Sequence, residues 1–468
     1  MPYVDLPNGH DDFASLWYTT NSATGTVGGF DPSKATVLLL HPQFLDSSWL
    51  SAQFEDPRLS RNYNLIAFDA RHSGQTTSRL NGKQDSWTDA ADVAFALEVL
   101  CLPAVHVWAC ELFATSSALR FAALFPEKCL SLTLLTAPCD PDDSRYNLNE
   151  ILQSWCYAQE LETIEHAFMN VVMTLCGQDV NVDLEDDLIA HLEVHYPPFR
   201  RIIVSHLGCL IASAERPSQD LLNTITQPVL LIHGDSNEVF PPDGAFIMQE
   251  QLVNAKDGAR LYFVRGGQGC LGVVPESASI ANRVFASFLA RQPPARSDPQ
   301  PPLPTRMEDA LQRLADIVND PEIASRDASS PMAFTCVSPA VVRRRTQIYA
   351  QAAAGHRGAF SPLDNHGRPK RKYSERVQEE WFEIDRNWMS HSAQSEEART
   401  RKRVATLDER LETLSQKLSR ELTIIGTGWH IPRVPPQAIQ RMALSNGFTS
   451  RLSSTANLAA RAIQRLPI

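Results

Sequence analysis

The sequence predicts an α/β protein built on a mostly parallel β-sheet that is flanked by helices. Short apolar runs alternate with helical patterns through the first 292 residues, and most of these runs are apolar at nearly every position. Continuous apolar runs are typical of strands with both faces covered, as in parallel sheets. Strand–helix alternation indicates that right-handed crossovers connect these strands.

Six apolar runs are predicted as strands, and helical patterns separate most of them. The predicted strands are Ala35–His41, Asn64–Asp69, Val105–Cys110, Leu130–Leu135, Pro228–His233 and Leu261–Val264. Helices are predicted at Asp89–Leu100, after the second run, and at Phe113–Leu124, after the third.

The strand pattern is interrupted between residues 140 and 225, where only helical patterns occur. The predicted helices are Asn149–Leu175, Leu184–Tyr196 and Phe199–Ala214. A helical insertion between two halves of a sheet is expected to form a lid over the carboxyl ends of the strands. Such lids usually cover a pocket for an apolar ligand, so we expect a small apolar molecule beneath this one.

A proline-rich segment divides the chain into an acidic and a basic part. Six prolines lie within residues 292–305, a composition typical of a semi-rigid linker. We therefore predict an α/β domain at 1–292, a linker at 293–306 and a C-terminal region at 307–468 that is partly helical and partly disordered. The first 292 residues hold 17 basic and 35 acidic side chains, whereas the remaining residues hold 26 and 19.

The basic C-terminal region has two interpretations. Helices are predicted at Met307–Val318 and near Glu396–Leu422, and basic clusters occur at Lys370-Arg371-Lys372 and Arg399–Arg403. The clusters indicate either a solvated charged surface or a nuclear-targeting or phosphate-contacting segment. A protein partner is expected to bind through this region. Nucleic-acid recognition is not favoured, because the net charge is −11 and the sequence has no zinc pattern or helix-turn-helix signature.

Several other classes of protein are not favoured by the sequence. The first 20 residues lack the basic and apolar segments of a signal peptide, and no apolar run approaches the roughly 18–20 residues that span a bilayer. The nine cysteines are scattered and never spaced C-x-x-C. This usage is typical of reduced thiols in an intracellular protein, so we expect a cytoplasmic location and neither a metal nor another cofactor.

Five stretches of the α/β domain carry a family resemblance. They are Leu38–Leu45 (LLLHPQFL), Phe68–Thr76 (FDARHSGQT), Val107–Glu127 (VWACELFATSSALRFAALFPE), Val229–Pro242 (VLLIHGDSNEVFPP) and Phe263–Leu271 (FVRGGQGCL). In order and spacing they resemble the α/β-hydrolase superfamily, in its lid-bearing branch of esterases and lipases. The resemblance implies that fold for residues 35–290. It also implies a site at which a Ser attacks a carbonyl, a His takes its proton and an Asp or Glu orients the His.

All three positions that the resemblance assigns to this triad carry other residues. The nucleophile position falls on Leu112, the acid position on Asn237 and the histidine position on Gly269. A shift by one residue would place Glu111 at the nucleophile position. We prefer Leu112, because the shift puts Phe113 where close strand–helix packing requires Gly or Ala.

The resemblance also implies other parts of the family site. Gln43 and Phe113 would supply the backbone N–H groups of an oxyanion hole. The pocket rim is expected at His41, Cys110 and Phe240.

Two residues are possible substitutes for lost catalytic groups. Glu111 could act as a carboxylate nucleophile, as Asp does in dehalogenases and epoxide hydrolases of the superfamily, and His72 could pair with it. His191 and His195 have the i, i+4 spacing of metal ligands, but no third ligand is apparent.

These residues lead to three functional hypotheses. The first is a hydrolase-like protein without the triad that binds a small molecule or a protein. The second is an active hydrolase with relocated residues, acting on an ester, lactone or epoxide. The third is a scaffold whose basic tail directs it to the nucleus.

Overall fold

A sheet of nine strands forms the centre of the described part of the chain, which in this computed structural model comprises residues 2–7, 12–136, 151–178, 180–297, 307–354 and 356–375. The strands are β1 Tyr3–Asp5, β2 Ala14–Thr20, β3 Thr36–Leu40, β4 Asn64–Phe68, β5 Thr77–Ser78, β6 Val105–Cys110, β7 Cys129–Leu135, β8 Val229–Gly234 and β9 Arg260–Val264. Their order is β1-β2-β4-β3-β6-β7-β8-β9, and β5 pairs with β2. The part from β4 to β9 is parallel, whereas β1, β2 and β5 pair antiparallel.

The six predicted strands are confirmed, each within one residue of its predicted bounds. The three antiparallel strands were not predicted. In β2, buried and half-buried residues alternate over Ala14–Tyr18, so this strand shows the period of two that is typical of one covered face.

Helices cover both faces of the sheet. They are α1 Ser51–Phe54, α2 Pro57–Ser60, α3 Ser86–Val99, α4 Leu112–Leu124, α5 Leu161–Cys176, α6 Val182–His195, α7 Arg201–Ala212, α8 Gln219–Asn223, α9 Asp243–Gln251, α10 Pro275–Leu289, α11 Met307–Val318 and α12 Pro339–Ala353. Leu38 of β3 packs in one apolar cluster with α3 and α4, whereas its neighbours Val37 and Leu39 pack in another with α10. Continuous apolar strands are therefore explained by burial on both faces.

The helical insertion predicted for residues 140–225 contains residues 151–156, which are helical, together with α5, α6, α7 and α8. The single helix predicted at Asn149–Leu175 is interrupted, because residues 157–160 form a turn before α5 begins. A separate apolar cluster holds the insertion together, with Trp155, Phe168 and Leu207 among its buried members.

The compact unit does not end at the proline-rich segment but includes residues up to Glu380. Helix α11 has the predicted bounds, and its apolar stripe, which includes Leu311 and Leu314, is buried in the same cluster as α4. Helix α12 packs on α7, where the Tyr349 hydroxyl lies 2.7 Å from Nδ1 of His206. The residues before and after the boundary predicted near residue 292 therefore belong to the same compact unit. The helix predicted near 396–422 lies outside the described residues.

The first basic cluster is held against the insertion. Arg371 donates to both carboxylate oxygens of Glu165, at 3.0 and 2.9 Å, and the Glu165 side chain is buried. Lys370 lies 4.5 Å from the ring centre of Phe360. Part of the cluster predicted as a free basic surface therefore has acidic and aromatic partners. In the described ranges, no helix is both long and apolar enough to cross a bilayer.

Candidate functional site

The turn between β6 and α4 is formed by Glu111, whose φ of +77° lies in the left-handed region. Strained turns of this kind lift one side chain above the carboxyl edge of a sheet. Leu112, the preferred nucleophile position, is instead the first residue of α4. The residue with the positive φ is therefore Glu111, one position before Leu112, and Phe113 packs against the apolar cluster of the insertion.

The Glu111 carboxylate lies between the two backbone groups predicted as oxyanion donors. Its Oε2 accepts hydrogen bonds from the N–H groups of Gln43 and Phe113, both at 3.2 Å. The residue is only 5 % exposed. Burial raises the pKa of Glu111 to about 7, although the backbone N–H groups of Gln43, Phe113 and Leu112 act in the opposite direction. An acceptor that belongs to the chain therefore fills the site that these donors form.

The turn after β8 is organised by Asn237, at the predicted acid position. Its Oδ1 accepts from the Phe240 N–H at 2.8 Å, and the Phe240 carbonyl accepts from Nε2 of His233 at 2.8 Å. The Nδ2 of Asn237 is buried without a partner among the described residues. Phe240, predicted at a pocket rim, instead belongs to the hydrogen bonds that hold this turn.

The turn after β9 packs directly on the end of α5. A Cβ placed on Gly269, the predicted histidine position, would lie 1.9 Å from the carbonyl oxygen of Leu175. The Gly269 N–H donates to the Cys176 carbonyl at 3.4 Å. Next to it, Oε1 of Gln268 accepts from the Gln178 N–H at 2.6 Å. The position of Gly269 therefore accommodates no side chain unless the helical insertion moves.

Three thiols lie next to these turns. Hydrogen bonds with Cys110 and Cys176, together with burial, raise the pKa of Cys270 well above its usual value. Cys110, predicted at the pocket rim, is fully buried. Cys270 is consequently held as a thiol, which is the unreactive form of this side chain.

Aromatic side chains of the insertion pack against the loop after β3. Phe44, on the loop after β3, has a φ of +64°, and its ring centre lies 5.1 Å from that of Trp155 and 5.9 Å from that of Tyr196. The Trp155 indole N–H donates to the Tyr196 carbonyl at 2.7 Å. The loop that carries the Gln43 donor is thereby anchored in the helical insertion.

His72, the possible partner for Glu111, contacts Ser78 and His206 in the structure. Its Nδ1 lies 3.1 Å from the Ser78 hydroxyl, and its ring centre lies 4.8 Å from that of His206. Burial and the nearby Arg71 lower the pKa of His72 to about 3. His41, also predicted at the rim, donates from Nδ1 to the Pro42 carbonyl and accepts from the Ala70 N–H at Nε2.

A second group of polar side chains lies where α6 meets the loop after β3. The His191 and His195 rings stack with centres 4.3 Å apart, and each offers a ligand atom within 4.8 Å of the other and of Asp46. Burial lowers the pKa of His191 to about 4 and also lowers the pKa of His195. Asp46 was not predicted from the sequence, because it lies on a distant loop, where it caps the single turn Ser47–Leu50.

An open cleft lies between α5 and the turns that carry Asn237 and Gln268. Its volume is about 460 Å³. Polar side chains line much of it, including Asn170, Gln178 and Glu238, and Nε2 of Gln178 donates to Glu238 across 3.4 Å. The cleft therefore presents amide, hydroxyl and carboxylate groups beside apolar surface.

Comparison with known proteins gives a consistent family and fold. Residues 36–258 match a family model described as the alpha/beta hydrolase fold. No curated protein sequence matches the chain.

Several solved structures are similar to this chain at low sequence identity. MGS-M2, an alpha/beta hydrolase enzyme from a Medee basin deep-sea metagenome library, has a TM-score of 0.50 and 16% identity over 62% of this chain and 98% of its own. A thermophilic esterase from Thermogutta terrifontis has a TM-score of 0.49 and 16% identity, over 62% and 99%. A hydrolase from Oleispira antarctica has a TM-score of 0.47 and 19% identity, over 59% and 94%.

Proposed function

The chain belongs to the α/β-hydrolase superfamily through residues 36–258, and from this premise we propose that it is a member that binds a ligand without hydrolysing it. The observation that carries the proposal is the Glu111 carboxylate at the backbone N–H groups of Gln43 and Phe113. Oxyanion donors accelerate acyl transfer by stabilising the negative oxygen of a transition state. A carboxylate already bonded to both donors excludes that oxygen by volume and, when ionised, by charge.

The residues around Glu111 support the same proposal. A serine-type mechanism needs a base within hydrogen-bond reach of the nucleophile and an acid that orients the base. Gly269 carries no side chain, and Asn237 is neutral and holds its own turn. His41 and His72 have the other contacts described above. We infer that the protein lacks the proton transfers of ester hydrolysis.

The ligand that we propose is a small polar molecule in the cleft beside Asn237, in place of the apolar ligand expected from sequence. The residues of the insertion that pack on the loop after β3 are mainly apolar, whereas the cleft is open and offers amide and carboxylate groups. A protein partner that binds through the C-terminal region, residues 307–468, remains a prediction from the sequence.

The test is a hydrolysis assay on the full chain with p-nitrophenyl esters from acetate to decanoate, together with labelling by a fluorophosphonate probe. We expect no turnover above the buffer rate and no labelling. Glu111→Gln is the informative variant, and Glu250→Gln, which changes an exposed carboxylate of α9 outside the cleft, is its matched control. Turnover or a burst that Glu111→Gln removes and Glu250→Gln keeps would contradict the proposal.

A second candidate function is covalent capture of an electrophile by Glu111. The position of Glu111 on the strained turn favours it, since carboxylate nucleophiles of this superfamily occupy the corresponding turn. Attack of the carboxylate on an epoxide carbon would form an ester and break the carbon–oxygen bond, and the released alkoxide would take a proton from water. Hydrolysis of that ester needs a base. We therefore expect a stable adduct rather than turnover.

Intact-mass and peptide mass spectrometry after incubation with styrene oxide distinguishes the two candidates. One stable adduct on Glu111, absent from Glu111→Gln and retained in Glu250→Gln, supports capture. An unmodified Glu111 after prolonged incubation rules capture out and leaves the non-covalent proposal.

A further inference from the structure

Three side chains of metal-binding type converge at the junction between the helical insertion and the sheet domain. His191 and His195 come from α6, and Asp46 comes from the loop that follows β3. Their potential ligand atoms all lie within 4.8 Å of one another. The Asp46 residue is 6 % exposed, and both histidines are half-buried. The two histidines with i, i+4 spacing in the sequence therefore have a third potential metal ligand, Asp46, close to them in space.

The surroundings of His191 fix which of its nitrogens is free to coordinate. Its Nε2 lies 3.2 Å from the Phe44 carbonyl, which can only accept, so Nε2 carries the proton and Nδ1 carries the lone pair. The edge of Trp49 holds the ring at a centre-to-centre distance of 5.4 Å. Histidine ligands in metalloproteins are oriented in this way by a backbone carbonyl on the second nitrogen.

Asp46 is oriented by its own turn. Its Oδ1 accepts both the Ser48 N–H at 2.9 Å and the Ser48 hydroxyl at 2.5 Å. With these bonds on Oδ1, Oδ2 is the oxygen available for a ligand. Hydrogen-bonded carboxylates are likewise typical of the surroundings of protein metal sites.

We propose that Asp46, His191 and His195 bind a divalent transition-metal ion, and that Zn²⁺ fits best. Two imidazole nitrogens and one carboxylate oxygen match three-ligand zinc sites, in which water completes the tetrahedron. Magnesium and calcium ions prefer oxygen ligands, so this donor set disfavours them. The proposal does not depend on the one about catalysis, since none of the three residues contacts Glu111.

An ion at this position would join two elements that are distant in sequence. Asp46 lies on the same loop as Gln43 and Phe44, whereas both histidines belong to the helical insertion. Because the ligands are separated in the unfolded chain, binding favours the folded arrangement. The role that we infer for the ion is to hold the helical insertion on the loop after β3, which we call the donor loop because it carries the Gln43 N–H.

The experiment is a Zn²⁺ titration of the full chain by isothermal calorimetry after removal of metals with a chelator. We expect one equivalent to bind and the thermal midpoint to rise by several degrees, with no rise in Mg²⁺. In His195→Ala and Asp46→Asn, affinity should fall by at least about a hundredfold. His166→Ala is the control, because His166 is an exposed histidine of α5 outside the cluster, and its affinity should match the wild type.

The Zn²⁺ titration of the wild-type chain tests the proposal even if a variant fails to fold. Failure of the wild-type chain to bind one equivalent of Zn²⁺ overturns it, and so does binding that a folded His195→Ala variant retains in full. Co²⁺ absorption spectra provide an independent readout, since thiolate ligands produce intense charge-transfer bands that nitrogen and oxygen ligands do not. A thiolate spectrum would assign the ion to cysteines and would also overturn the proposal.

Discussion

Oε2 of Glu111 accepts a hydrogen bond from the backbone N–H of Gln43, a residue 68 positions earlier in the chain, at a distance of 3.2 Å. This bond joins the turn after β6 to the loop after β3. In an active hydrolase, the same two elements would face each other across a substrate carbonyl. Here a side chain of the protein bridges them, so the donor loop is part of the folded core rather than a free binding surface.

The first prediction concerns the dependence of stability on pH. The pKa of Glu111 is raised from 4.5 to about 7 by burial, so the folded state keeps a proton that the unfolded chain loses at lower pH. Between these two values the folded state binds more protons, and the free energy of unfolding falls as pH rises. Glu111→Gln removes this contribution. It should therefore be more stable than the wild type at pH 8, by at most about 3 kcal/mol, and nearly equal at pH 4.

Urea unfolding of both chains from pH 4 to pH 8 measures this difference. Glu238→Gln is the control, because an exposed carboxylate should leave the slope with pH close to that of the wild type. A Glu111→Gln curve parallel to the wild-type curve over the whole range would show that folding does not raise the pKa of Glu111, and it would contradict the prediction.

The second prediction concerns the turn at Gly269. A Cβ at this position would meet the Leu175 carbonyl at 1.9 Å, so Gly269→Ala must displace the end of α5. We expect a loss of about 2–4 kcal/mol in the free energy of unfolding, as for other changes that overpack a buried site. Gly358→Ala is the matched control, because nothing lies within 4 Å of its added methyl group. Equal stability of the two variants would contradict the close packing of α5 on this turn.

The fold was predictable where its determinants are local, and the site was not. The predicted bounds of Val105–Cys110 match the observed ones because six consecutive buried residues leave a run that is apolar at every position except His106. The sequence offers Glu111 only as the alternative to Leu112, because without the glycines of the family pattern nothing in it reports a positive φ. Asp46 was missed for a related reason: its proximity to His191 is produced by the packing of two distant segments.

The docked C-terminal segment gives the third prediction. The buried guanidinium of Arg345 donates to the carbonyls of Gly82 and Gln84, at 3.0 and 2.7 Å, and to the Ser213 hydroxyl at 2.7 Å. Arg345→Ala leaves these acceptors unsatisfied, so it should reduce the free energy of unfolding by about 3 kcal/mol. Thermal unfolding of Arg345→Ala and of the exposed neighbour Arg344→Ala checks this. If the C-terminal segment is docked as described, Arg345→Ala should lower the thermal midpoint and Arg344→Ala should not.

The fourth prediction concerns the contact between the basic cluster and α5. Arg371 donates to both oxygens of Glu165, whose side chain is almost completely buried. Removal of a partner from a buried pair is strongly destabilising, by about 3–5 kcal/mol, because a charge remains unpaired in a dry environment. We expect the effect of Arg371→Ala to lie at the lower end of this range, because part of Arg371 is exposed and its third contact is with the solvent-exposed Glu162.

Hydrogen exchange measures this loss locally: in Arg371→Ala, the amides of Leu161–Cys176 should exchange faster than in the wild type. Lys372→Ala removes an exposed charge from the same basic cluster, and it should leave exchange in this helix unchanged. If both variants exchange like the wild type, the pair does not hold the segment on the insertion. The cluster would then be available as the free basic surface that its composition indicates.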